Sequence, residues 1–271
     1  MDQHHRNLPP NYQVLLARLK ETCEADDRIV AAFLGGSYAS GTADSQSDLD
    51  LGLITTDDAH DPFLADLNSF VRRLGDPLFL ETFDLTNIIF FVFPDGTEGE
   101  IVVGSISNFN RIHTGPYAVI LDKSGILADA TFLGENPTPE SQIETARRHI
   151  YWFWHDLSHF ITAMARNQLW WAYGQLEILR SICVNLTLLH EHFTAEALGY
   201  EKLDRSLRTD LLSPLQATFC PLDYKPMIQA MQVIIRYYRQ IAPQLAQKHG
   251  ITYPTQLAEI LLGRFEELVR E

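Results

Sequence analysis

The chain has 271 residues, 46% of them hydrophobic, with 35 acidic and 21 basic side chains and a net charge of −14. That length suits one large domain or two medium ones with a real core, and the acidic balance argues against nucleic acid or an anionic membrane surface as a partner. The charge is uneven: residues 1–135 hold 21 acidic and 8 basic residues, while residues 136–271 hold 14 and 13.

In chain order, the stretch Asn11 to Glu24 has helical spacing at Val14, Leu15 and Leu19, with Asn11 as its expected cap. Arg28 to Leu34 is a short apolar run ending in Gly35-Gly36, which predicts a buried strand and a turn. Leu49 to Thr55 alternates, with Leu49, Leu51 and Leu53 on one face and Asp50 on the other. Asp61-Pro62 predicts a helix through about Arg73, with Asp61 as cap and Pro62 at the first helical position. Strands are expected at Leu78 to Phe83, Asn87 to Phe93 and Glu100 to Ile106, the last two joined by a Pro94-Asp95-Gly96 turn, and another at Tyr117 to Leu121. From about Pro137 the texture turns helical: Ser141 to Asn167, Leu169 to Phe193, Lys225 to Lys248 and Thr255 to Arg270 have helical periodicity and little glycine. The expected fold class is α+β: a first domain over residues 1–136, with a mixed sheet flanked by helices, then an all-helical bundle over residues 137–271.

The chemistry concentrates in Gly35 to Leu53, GGSYASGTADSQSDLDLGL. A strand delivers the chain to Gly35-Gly36, where the missing Cβ atoms let backbone approach a ligand. Ser37 adds a hydroxyl beside the unpaired N–H groups of a short helix start, a setting that favours phosphate. Asp48 and Asp50 follow; two residues apart on a strand, their carboxylates point to one face. Carboxylates held together need a cation, and Mg²⁺ suits hard oxygen ligands with positions left for water and phosphate. Phosphate cradle and Mg²⁺ pair together describe a nucleoside-triphosphate site.

Gly36-Ser37 followed by Asp48-x-Asp50, with Gly41, Ser47 and Leu51 around them, resembles the signature of the DNA polymerase β-like nucleotidyltransferase superfamily. The layout of a catalytic domain followed by helices resembles the aminoglycoside and lincosamide nucleotidyltransferases, and the Trp170-Trp171-Ala172-Tyr173 segment is similar in texture to a helix of those enzymes. The resemblance implies a third carboxylate on a later strand, with Glu100, Glu98 and Asp84 as candidates and Glu100 favoured. A glutamate there departs from the aspartate of many relatives and fits a general base better than a metal ligand. The resemblance further implies a Mg²⁺-dependent transfer of a nucleoside monophosphate, AMP from ATP first, to a hydroxyl of a small, cationic, aminoglycoside-like acceptor, with pyrophosphate released. Asp48 and Asp50 would hold the metal, and Gly36 and Ser37 the phosphates. The alternative is a regulatory nucleotide-binding member of the antitoxin type, acting on a protein or RNA partner.

Other features weigh less. His155 and His159, four apart around Asp156, have a spacing that can bind zinc, but the zincin pattern needs a Glu where Asp156 stands, no third ligand is evident, and packing in an aromatic-rich helix or contact with the acceptor is the plainer expectation. The run Tyr151 to Trp154 covers all helix faces and predicts deep packing. Lys123 is a conceivable nucleotide contact, and Arg147 and Arg148 are expected at the surface. Three scattered cysteines, Cys23, Cys183 and Cys220, suit a reducing compartment. No secretory core precedes the helix at Asn11, and no apolar run of about 18 residues suggests a membrane span, so a cytoplasmic protein is expected.

Overall fold

The computed structural model describes residues 8–133, 137–193, 200 and 203–270. The chain divides into two compact units, Met1–Glu135 and Asn136–Glu271. The boundary expected at residue 136, and the first seven residues, lie outside the described residues.

The first unit is α+β. Helix α1 (Pro10–Glu24) starts one residue before the expected Asn11 cap, with Pro9 at the cap position and Pro10 inside the first turn. Proline suits the first helical position, because its missing N–H would have no partner there and its φ is already helical. Tyr12, Leu15, Leu16, Leu19 and Cys23 form its buried stripe. Strand β1 (Ile29–Leu34), helix α2 (Gly36–Ser40) and strand β2 (Leu49–Thr55) follow. The single helix expected from Asp61 to Arg73 is two: α3 (His60–Ala65) and α4 (Leu67–Leu74). They break at Asp66, which lies at φ −100°, ψ 4° and accepts a hydrogen bond from Arg28 Nη2 at 2.9 Å. Strands β3 (Phe79–Glu81), β4 (Ile88–Val92), β5 (Glu98–Ser105) and β6 (Ala118–Asp122) complete the unit.

The six strands form one sheet in the order β3-β4-β5-β2-β1-β6. All neighbours are antiparallel except β2 and β5, which run parallel. Alternation divides the residues of each strand between two faces. On one face Ile29, Leu34, Leu49, Leu51, Leu53, Ile101 and Val103 pack with the apolar sides of α1, α3 and α4 to form the main core. The other face carries a smaller cluster, Ala31, Phe33 and Ile54 with Leu127 and Phe132. Asp50 and Glu100 belong to this second face, with Phe33.

The second unit is helical: α5 (Pro139–Ala165), α6 (Leu169–Glu191), α7 (Leu203–Ser206), α8 (Thr209–Gln216), α9 (Tyr224–Lys248) and α10 (Thr255–Arg270). Thr138 caps α5 by accepting from the Ser141 N–H, with Pro139 in the first turn. The core runs through Phe153, Trp154, Leu157, Leu176, Leu179, Met231, Tyr238 and Phe265. The aromatic run on α5 is split rather than wholly packed: Phe153 and Trp154 are buried, whereas Tyr151 and Trp152 are 36% and 49% exposed. Helical period places successive residues about a quarter-turn apart, so four in a row cannot all face one core. Arg180 is buried, held by Thr218 through Nε and Nη2 and paired with Glu177. Among the described residues no helix is long and apolar enough to cross a membrane.

Candidate active site

The site grows from the turn between β1 and α2. The Gly35 N–H donates to the Asp50 carbonyl at 2.8 Å, tying the turn to the first residues of β2. Gly36 has φ +56°, and a Cβ there would overlap the Asp50 carboxylate. Only glycine permits both this backbone conformation and this approach. Gly35 is equally confined, since its Cβ would lie 2.7 Å from the His113 ring. Ser37 sits in the first turn of α2, and its Oγ is buried with no hydrogen-bond partner among the described residues. An unsatisfied buried hydroxyl is costly and calls for a partner.

Asp48 is exposed and lies one residue ahead of β2, whose paired ladder starts at Leu49 opposite Gly99 as the alternation suggested, so of the two aspartates only Asp50 stands on the strand. Asp50 is half-buried on the strand. Parallel pairing sets Asp50 directly opposite Glu100, with Leu51 opposite Ile101 and Gly52 opposite Val102. Glu100 is half-buried, and its carboxyl is pushed above the usual glutamate range, first by burial, then by the Asp50 charge and then by Asp48. Its proton affinity thus registers both aspartates, so the three carboxyl groups form one electrostatic cluster.

A cavity of about 290 Å³ opens here, lined by Phe33, Gly36, Asp50, Ile88, Glu100 and His113 among others. Glu98 shares the face of Glu100 by period two, but is exposed and pairs with Val92 at the start of β5. Asp84 is exposed in the turn between β3 and β4, at φ +61°, and does not line the cavity. Lys123 is also elsewhere: its Nζ donates to the Asp26 carbonyl at 2.9 Å. Arg147 is engaged at the surface with Glu144.

His113 is the site residue that sequence reasoning missed. Its ring packs on Phe33 at 5.3 Å between centroids and on Phe132 at 5.0 Å, and its Nε2 donates to the Pro116 carbonyl at 2.9 Å. It lies in an irregular stretch between β5 and β6, where no periodicity marks it, and its contact with Gly35 comes only from the fold. A larger cavity of about 620 Å³ in the second unit is lined by Arg236, Arg239, Leu262, Phe265 and Arg270 among others, and contains none of the sequence-predicted site residues.

A glycine turn packed directly onto the carboxylate of the following strand, with a second acid opposite it, is the arrangement expected of a nucleotidyltransferase. Residues 11–262 match the family model described as streptomycin adenylyltransferase, so the chain belongs to that family and is an adenylyltransferase enzyme. No curated protein matches it. Among solved structures it is similar to an aminoglycoside 6-adenyltransferase from Bacillus subtilis, at 14% identity and a TM-score of 0.45, over 97% of this chain and 100% of that one.

Proposed function

We propose that the enzyme transfers AMP from ATP to a hydroxyl of a small cationic acceptor of the streptomycin type, releasing pyrophosphate. The observation that carries the reading is the register of Asp50 against Glu100, which brings a metal-ligand candidate and a base candidate to one rung of the sheet.

The residues fit a Mg²⁺-nucleotide. Their donors are hard carboxylate oxygens, burial and the charges of Asp50 and Asp48 raise the cost of ionising Glu100, and the buried Ser37 Oγ has no protein partner among the described residues. Asp48 and Asp50 would hold the ion, which supplies charge neutralisation at the α-phosphate and at the pyrophosphate leaving group. Ser37 Oγ donates to a phosphate oxygen of ATP, and Gly36 lets the backbone approach that phosphate. Glu100 takes the proton of the acceptor hydroxyl. The hydroxyl oxygen bonds to the α-phosphorus as the bond to pyrophosphate breaks.

The acidic first 135 residues suit a cationic acceptor, and the same charge disfavours RNA. The test is an acceptor screen against ATP, GTP, CTP and UTP that reads pyrophosphate. Release with ATP and a streptomycin-type acceptor, lost in Asp48→Asn with an unchanged melting curve, supports the reading. Release in the absence of any small acceptor, or full activity of Asp48→Asn, contradicts it.

A further inference from the structure

We propose that His155, Asp156 and His159 on α5 form a second metal site, for a divalent transition ion of the zinc class. This site uses none of the residues assigned to adenylyl transfer. The two histidines lie one helical turn apart, and their rings meet at 4.3 Å between centroids. One ligand atom from each of the three residues can be chosen so that all lie within 4.8 Å of one another. An ion with bonds of about 2.1 Å holds its ligand atoms roughly 3.0–3.4 Å apart. His155 Nδ1 and Asp156 Oδ1 already stand at 3.0 Å. The His155 side chain is 52% exposed, so its ring can turn to close the remaining distance.

Aromatic packing accounts for part of this arrangement. Trp152 stands against His155 at 4.8 Å and Trp171 against His159 at 5.8 Å, giving a ladder of four rings. Packing does not account for the carboxylate. Asp156 is buried to 6% exposure on a helix whose nearby inward residues are Phe153, Leu157 and Phe160. Its Oδ1 has the His155 ring as a partner at 3.0 Å, and a bound cation would further compensate the burial of a carboxylate beside imidazoles. Two nitrogens and one oxygen leave a fourth tetrahedral position open to solvent, as in zinc sites that exchange a water. Imidazole selects zinc, copper and nickel over magnesium, so the ion at Asp48 and Asp50 does not compete here. The bound ion would staple one turn of α5 beside two exposed tryptophans.

The experiment is calorimetric titration of the full chain with Zn²⁺ under saturating Mg²⁺, with tryptophan quenching by Cu²⁺ as a second readout. We expect one Zn²⁺ per chain, with affinity falling at least tenfold in His155→Gln and in His159→Gln, and Cu²⁺ quenching reduced in both. Both histidines are at least partly exposed, so these variants keep the fold, which a melting curve verifies; Asp156→Asn should weaken binding in the same direction. Failure of the native chain to bind Zn²⁺ overturns the proposal. So does binding that survives both histidine substitutions, which would assign the ion to other groups such as His4 and His5 or a cysteine.

Discussion

Asp50 and Glu100 are register partners across the only parallel pair in the sheet, β2 and β5. Cross-strand partners lie about 5 Å apart at the backbone, so their side chains, on one face, share one environment. An acid from each strand is thereby brought into one cavity with the turn at Gly36. The adenylyl-transfer reading rests on this relationship, and so do the predictions for the site below.

Glu100→Gln should lower turnover by about a hundredfold or more, the usual scale for a lost general base. The same substitution should stabilise the metal-free protein at neutral pH. Burial, Asp50 and Asp48 all disfavour the ionised glutamate in the fold, and a neutral amide removes that cost. A rise in melting temperature should accompany the loss of activity. Glu98→Gln and Asp84→Asn should change neither property appreciably.

Gly36→Ala should be severe on both counts. The new Cβ would meet the Asp50 carboxylate at a backbone position with φ +56°, so either the turn or the aspartate must move. We expect a loss of stability of about 1–3 kcal/mol and activity reduced by two orders of magnitude or more, measured by thermal melting and pyrophosphate release.

Ser37→Ala should separate binding from folding. Its Oγ is buried without a protein partner among the described residues, so deleting it removes an unsatisfied group and leaves stability equal or slightly raised. The KM for ATP should rise about tenfold, the worth of one hydrogen bond to a charged phosphate. An unchanged KM would remove Ser37 from the phosphate site.

Asp26 gives a pH prediction away from the site. Hydrogen bonds from Arg28 and Arg73 hold its carboxyl far below the usual aspartate range, overcoming the opposite effect of burial. A depressed carboxylate contributes its stability above its unfolded value and loses it as pH falls toward the folded one. Asp26→Asn should therefore cost about 2–3 kcal/mol at pH 7, nearly constant from pH 7 down to about 5. The gap to the native protein should narrow below about pH 4, read from denaturation at each pH.

Much of this fold is visible in local pattern. The alternation of Leu49, Leu51 and Leu53 marks β2, and the Asp95-Gly96 turn marks the β4–β5 hairpin, with Gly96 at φ +81°. Pairing between distant strands is not local, and so Glu98 and Glu100 share a face by period two while only the register singles out Glu100 opposite Asp50. His113 escaped because an irregular connection has no period to reveal which side chain turns inward. The break at Asp66 escaped for a related reason: the residue there is held by Arg28, 38 residues away, a contact that no local pattern reveals. Helix α8 (Thr209–Gln216), with Pro214 inside it, lay in a stretch where no element was expected.

The most direct test of the central claim is Mg²⁺-dependent AMP transfer to a streptomycin-type acceptor by the native chain and by Asp50→Asn, followed by mass spectrometry of the acceptor. We expect one AMP per acceptor with the native enzyme, none when Mg²⁺ is chelated, and none with Asp50→Asn while its fold is retained. Acceptor adenylylated by Asp50→Asn at the native rate would contradict the assignment of the site to β2 and β5.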